Sequence, residues 1–168
     1  MTNRGAWLLV LAVVSSGCSD STAPAQGTFR AQLTGTRVAN LSGSALAERN
    51  FAEDIPPGLH FVIRMHAVRG DTVHTIAIRC LGDDPPAAGA HTIDPAGEEC
   101  IAMYTLVLMT LEGGAVLLER ADGAEGTVTI ETSQGAPAGF FSFQGTLLEN
   151  ATPVGTVTAS GSFSADLL

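Results

Sequence analysis

The chain has 168 residues, 45% of them hydrophobic and 15% charged, which is too apolar for a disordered protein and sufficient for one domain. Seventeen acidic residues against eight basic ones give a net charge of −9, which disfavours nucleic acid as a partner. All eight basic residues are arginines, so chemistry that needs a lysine, such as a Schiff base or a P-loop phosphate site, is excluded.

The N-terminal residues predict a targeting segment. Arg4 precedes the uninterrupted apolar run 6–14, which is about half as long as a membrane-spanning helix. Small residues at 15–17 then precede Cys18, and this order predicts a secretory signal peptide over residues 1–17. Residues 19–26 are small and polar without periodicity, which predicts a flexible tether that reaches at most about 28 Å.

The sequence Ser-Ser-Gly-Cys at 15–18 resembles the lipobox of bacterial lipoproteins. In that family the cysteine is lipidated and becomes the first residue of the mature chain, so the resemblance implies a lipid on Cys18 and a lipid-anchored tether over 18–26. Ser19 stands where the family's inner-membrane retention signal would have aspartate, which implies residence at the outer membrane. Several acyl chains would make this anchor effectively permanent.

From residue 27 onward, apolar and polar residues alternate with a period of two. Phe29, Ala31 and Leu33 begin the pattern, and residues 156–167 predict a final strand of twelve residues whose inner row ends with Leu167. The inner row of the preceding strand is predicted to be Phe141, Phe143, Gly145 and Leu147. No stretch after the leader has the 3.6-residue apolar period of a helix, so we predict an all-β chain.

One hairpin can be predicted to its register. Gly70-Asp71 is typical of a type II′ turn, which places Arg69 opposite Thr72. Counting outward gives the inner-face pairs Ala67–His74, Met65–Ile76, Ile63–Ile78 and Phe61–Cys80. His60 and His66 then lie on the outer face, and a one-residue slip would bury His66 and Arg64.

Turn signals divide residues 27–168 into about nine or ten short strands of a single domain. We expect an antiparallel β-sandwich, with a closed up-and-down β-barrel as the alternative. Residues 101–111 are apolar on both faces, so we expect this strand in the middle of the fold, covered on its outer side by a loop or a partner.

Four short motifs mark the strands: Gly-x-Phe at 27–29, Ser-Gly-Ser-Ala at 42–45, Gly-Thr-Val-Thr-Ile at 126–130 and Gly-Ser-Phe-Ser-Ala at 161–165. In this order they resemble small secreted β-sandwich lipoproteins of uncharacterised function in bacterial envelopes. The resemblance implies a fold and an envelope setting, and it carries over no catalytic residues.

With Cys18 assigned to lipid, Cys80 and Cys100 form a pair in an oxidising compartment and predict a structural disulfide, the alternatives being free thiols or a redox or metal role. The enclosed residues 81–99 include five carboxylates, which leaves open a calcium site or a solvated acidic rim. The outer His60 and His66 and the inner His74 cannot share a zinc ion, so we expect neither a metal nor another cofactor.

No nucleophile elbow or zinc-protease motif occurs, so we do not expect an enzyme. Two hypotheses remain. The first is a non-catalytic, lipid-anchored envelope module that binds an unknown envelope protein or glycan through a sheet edge or a loop end. The alternative is a small-barrel carrier of an apolar ligand, motivated by the apolar residues 101–111.

Overall fold

The computed structural model describes residues 27–52, 58–133 and 136–168. Ten strands follow one another in this part of the chain, and no helix is found there. They are β1 (Thr28–Gly35), β2 (Ala39–Ala52), β3 (Gly58–Arg69), β4 (Thr72–Leu81), β5 (Gly89–Ile93), β6 (Cys100–Met109), β7 (Ala115–Thr132), β8 (Ala138–Glu149), β9 (Thr152–Ser164) and β10 (Asp166–Leu167). The all-β prediction is confirmed, because all the regular elements in these ranges are strands.

The eight long strands form a closed ring of antiparallel pairs. The ring runs β1-β2-β3-β4-β6-β7-β8-β9 and returns to β1, which pairs with both β2 and β9. The short β5 pairs with β6 and β7, and β10 pairs with β2. The described residues thus form an all-β fold of antiparallel neighbours, which is compatible with the predicted sandwich.

The β3–β4 hairpin has the predicted register at every position. Arg69 pairs with Thr72, Ala67 with His74 and Phe61 with Cys80. Gly70 has a φ of 60°, which supplies the left-handed residue that a type II′ turn needs at its first central position. Turn chemistry and the burial pattern therefore specify the same pairing.

Inward side chains from all the ring strands form one continuous core. Its largest fully buried members include Phe29, Phe61, Tyr104, Phe143 and Phe163. An eight-stranded ring encloses a space just wide enough for side chains to fill, and here bulky apolar groups occupy it. The predicted inner row of β8 is confirmed, since its four residues are all buried.

Glycines on β8 allow the ring to curve. A Cβ atom at Gly139 would overlap the carbonyl oxygen of Thr129, and one at Gly145 would overlap that of Asp122. Both oxygens belong to β7, so β7 and β8 approach more closely at these two points than any side chain would allow.

The end of the chain differs from the prediction of one twelve-residue strand. β9 ends at Ser164, and the Ala165 amide donates to the Pro137 carbonyl. The chain then pairs in parallel with β2, which leaves Leu167 half exposed and outside the predicted inner row. The alternation continues to Ala165, but the pairing partner changes and the last predicted position leaves the core.

The two ends of the ring differ in their connections. Four hairpin turns lie together at one end, which we call the turn end: residues 36–38, 70–71, 110–114 and 150–151. Gly27, where β1 is about to begin, and the C-terminal residues lie at the opposite end, because β1 runs toward the turn end and β9 runs away from it. Within the ranges described, no helix is long and apolar enough to cross a membrane.

Candidate functional site

Of the residues singled out in the sequence, Cys18 lies outside the described residues, and its lipidation stays a prediction. Cys80 and Cys100 are direct partners on β4 and β6, with their sulfur atoms 2.01 Å apart. This is the predicted disulfide pair. The disulfide lies in the core, near the end of the ring opposite the turn end. It links β4 to β6 on either side of the segment 82–99, which contains β5.

The acidic residues between the two cysteines point to separate partners. Asp84 pairs with Arg49 at 3.0 Å, and the Asp94 carboxylate accepts a hydrogen bond from the Gly97 amide at 2.8 Å. Glu99 accepts from the Thr92 amide, and this hydrogen bond lowers the pKa of its carboxyl. No three His, Cys, Asp or Glu side chains converge on a possible metal position in the part of the chain that the structure describes.

The histidines of the β3–β4 hairpin lie on the faces that the register predicts. His74 points into the core, and His66 lies on the outer face with its Nδ1 3.0 Å from Thr75 Oγ1. His60 also lies on an outward-facing position, yet it is buried together with its neighbour Val62. The outer face of β3 is therefore partly covered near the end opposite the turns.

A groove of about 600 Å³ opens where β5 enters between β6 and β7. β6 pairs with β7 as far as Met103–Asp122, and β5 takes over the pairing with β7 at Gly126. The half-buried Ile101 and Met103 line the groove on the outer side of β6, with Pro95 nearby. The outward side chains of β6 are half-buried from Ile101 to Val107, and Met109 at the end of the strand is exposed.

The second half of β6 opens onto an exposed apolar surface at the turn end. Val68, Val73, Val107 and Leu117 form one cross-strand row over β3, β4, β6 and β7. Leu111, in the turn beyond this row, is fully exposed. We define the aliphatic patch as Val68, Met109, Leu111 and Leu117, which are all exposed. Contiguous exposed aliphatic side chains of this kind mark interaction surfaces in soluble domains.

Beneath the turn end the core contains a group of polar side chains. Arg37, in the β1–β2 turn, reaches across the ring to β7 and pairs with Glu119, its Nε donating to Oε2 at 2.9 Å. Glu119 is only 3% exposed. Beside this pair, His74 Nδ1 and the Tyr104 hydroxyl are hydrogen-bonded at 3.0 Å. The ion pair therefore links the β1–β2 turn to β7 on the opposite side of the ring.

Burial controls the protonation of this group. Removal from water raises the pKa of Tyr104 to about 12, although the positive charge of Arg37 opposes the shift. Removal from water, reinforced by the charges of Arg69 and Arg37, lowers the pKa of His74 below its ordinary 6.5. Both side chains are therefore held neutral near pH 7.

The histidines make stability depend on pH. Burial also lowers the pKa of His66, with Arg64 reinforcing it, so the folded state holds fewer protons than the unfolded state below pH 6.5. The free energy of unfolding is expected to fall as the pH decreases through this range. Urea unfolding at several pH values between about 7 and 5 measures the slope, which should be smaller for His74→Gln. An unchanged slope in this variant would show that His74 does not contribute.

Sequence reasoning missed Arg37, Glu119 and Tyr104. A signal for Glu119 exists, because it shares the period-two inner row of β7 with Ala121. A charged residue in such a row predicts a buried charge that requires a partner. Nothing local identifies Arg37 as that partner, since 82 positions separate the two residues.

The chain was compared with protein-family models, with curated proteins and with solved structures, and none of these comparisons finds a match. The site must therefore be interpreted from its own geometry.

Proposed function

We propose that the protein is a non-catalytic module of the bacterial envelope, anchored by a lipid on Cys18 at the outer membrane, that docks an envelope partner on the aliphatic patch. The concentration of exposed aliphatic side chains at the turn end is the observation that carries this proposal. Partners of small β-domains commonly add a strand to a free sheet edge or bind the loops at one end. Every long strand has a partner on both sides over most of its length, so the loop end is the better supported surface.

The direction of the strands supports the same surface. The predicted tether joins the domain at Gly27, which lies at the end opposite the patch. A strand rises about 3.3 Å per residue, so β9 alone, with 13 residues, spans about 40 Å between the two ends. The aliphatic patch would then point away from the membrane that holds the lipid. A partner on the side of the domain that is remote from this membrane could reach it.

Site-specific photo-crosslinking in the bacterium that encodes the protein tests the proposal. A photoreactive residue at Leu111 or Leu117 is expected to give discrete crosslinked products, because both side chains are exposed within the patch. The control position is Gln144, which is exposed on the polar outer face of β8. Equal products from all three positions, or none from Leu111 and Leu117, would contradict docking on the patch.

The Cys18→Ala variant tests the anchor separately. We expect a soluble or uncleaved product, and a cleaved variant that stays in the membrane would count against lipidation. Native mass spectrometry of the purified protein distinguishes the carrier hypothesis, since a carrier should retain a lipid-sized mass inside the ring and a docking module should not.

A further inference from the structure

A second surface of the ring has a different character from the aliphatic patch. On the outer side of β8, β9, β1 and β2, two cross-strand rows of side chains lie next to each other. The first row is Phe140, Ser162, Arg30 and Ser42, and the second is Ser142, Ser160, Gln32 and Asn40. We call these eight residues the hydroxyl face. All of them except Ser142 line a shallow groove of about 730 Å³.

Phe140 is the only aromatic side chain among these eight residues. The strand alternation turns Phe141 and Phe143 into the core, whereas Phe140 points outward and is 43% exposed. Ser162 stands directly beside it on β9, and Arg30 follows on β1. The face therefore presents one apolar ring within reach of hydroxyl, amide and guanidinium groups that donate and accept hydrogen bonds.

The charge of this surface is opposite to that of the whole chain. The sequence contains 17 acidic residues, yet none of the residues around the groove carries a carboxylate. Arg30 is the one charged residue there, and no carboxylate of residues 27–52, 58–133 or 136–168 forms a salt bridge with it. Its guanidinium donors can therefore bond to a bound molecule.

We propose that the hydroxyl face binds a neutral polysaccharide. A hexose has one apolar face, which can stack on Phe140, and a rim of hydroxyl groups, which can bond to the serine hydroxyls, the Gln32 and Asn40 amides and Arg30. Neighbouring strands lie about 4.8 Å apart, which is comparable to the length of one hexose unit, so successive sugars can meet successive strands along a row. The net charge of −9 on the whole chain disfavours a long anionic polymer, and the single cation Arg30 can donate hydrogen bonds to neutral hydroxyl groups.

Calorimetric titration of the full-length chain with three neutral hexasaccharides tests the proposal. The probes are cellohexaose, mannohexaose and chitohexaose. Saturable binding of at least one is expected, and Phe140→Ala should weaken that binding about tenfold, as the loss of one aromatic stacking contact implies. Phe140→Tyr should preserve the binding, since it keeps the ring. Leu117→Ser, on the aliphatic patch, is the matched control and should bind as the wild type does.

Three results would overturn the assignment. They are no binding of any of the three probes, equal binding by the wild type and Phe140→Ala, and tighter binding of the anionic polymer polygalacturonate than of every neutral probe. The two surfaces lie on different parts of the ring, so failure of this test leaves the docking proposal for the aliphatic patch intact, and the converse also holds.

Discussion

Replacing Arg37 with alanine is expected to lower the free energy of unfolding by about 3 kcal/mol, because the change leaves the Glu119 carboxylate in the core without its cation. Glu119 is almost completely buried, whereas Arg37 is partly exposed, so the cost arises mainly from the carboxylate that stays behind. The change also frees the β1–β2 turn from β7 on the other side of the ring. Urea unfolding followed by circular dichroism measures the loss.

Two further variants make this experiment specific. Arg49→Ala breaks the pair with Asp84, in which both side chains are mostly exposed, and should cost less than about 1 kcal/mol. The double variant Arg37→Met with Glu119→Leu removes both charges and should recover most of the lost stability, since no unpaired charge then stays in the core. Equal losses from Arg37→Ala and Arg49→Ala would contradict a structural role for the buried pair.

Removing the disulfide is expected to cost a similar amount. The bond between Cys80 and Cys100 closes a loop with a sequence separation of 20, and the chain-entropy treatment gives about 3 kcal/mol for a loop of this size. The Cys80→Ala/Cys100→Ala variant should unfold at a correspondingly lower urea concentration with a similar dependence on urea. Reduction of the wild type should reproduce most of the loss, because it removes the same constraint on the unfolded chain.

Limited proteolysis with thermolysin shows which part of the chain loses stability when the disulfide is removed. Without the bond, residues 82–99 should be cleaved before the rest of the ring, since β5 is short and is paired along one edge with β7 but joined to β6 only at Ile93–Cys100. Simultaneous cleavage throughout the chain would indicate that the disulfide stabilises the whole ring and not residues 82–99 in particular.

Local features of the fold could be predicted, and the β3–β4 hairpin is the clearest example. The Gly70-Asp71 turn and the alternation of apolar residues act over a few positions, so together they determine the register. The pairing of β1 with β9 depends on residues from the two ends of the domain, and no local pattern encodes it. The same limit explains Leu167, because alternation alone gives no information on where a strand exchanges one partner for another.

The candidate surfaces were only partly predictable. The two-sided apolar character of residues 101–111 indicated a surface that needs a cover, and the structure leaves Met109 and Leu111 at its end exposed. The row that joins Val68 to Leu117 requires the register of four strands and could not be derived from one segment. The orientation of Phe140, in contrast, follows from local alternation. It lies between the buried residues 139 and 141 and therefore faces outward.

The pairing of β1 with β9 also affects when the protein can fold. This pairing joins Thr28 to Ser164, so the hydrogen-bonded ring cannot close until β9 has been synthesised. Topologies dominated by such distant pairings fold slowly. Until β9 emerges, β1 can pair only with β2, so one side of the ring stays open during synthesis.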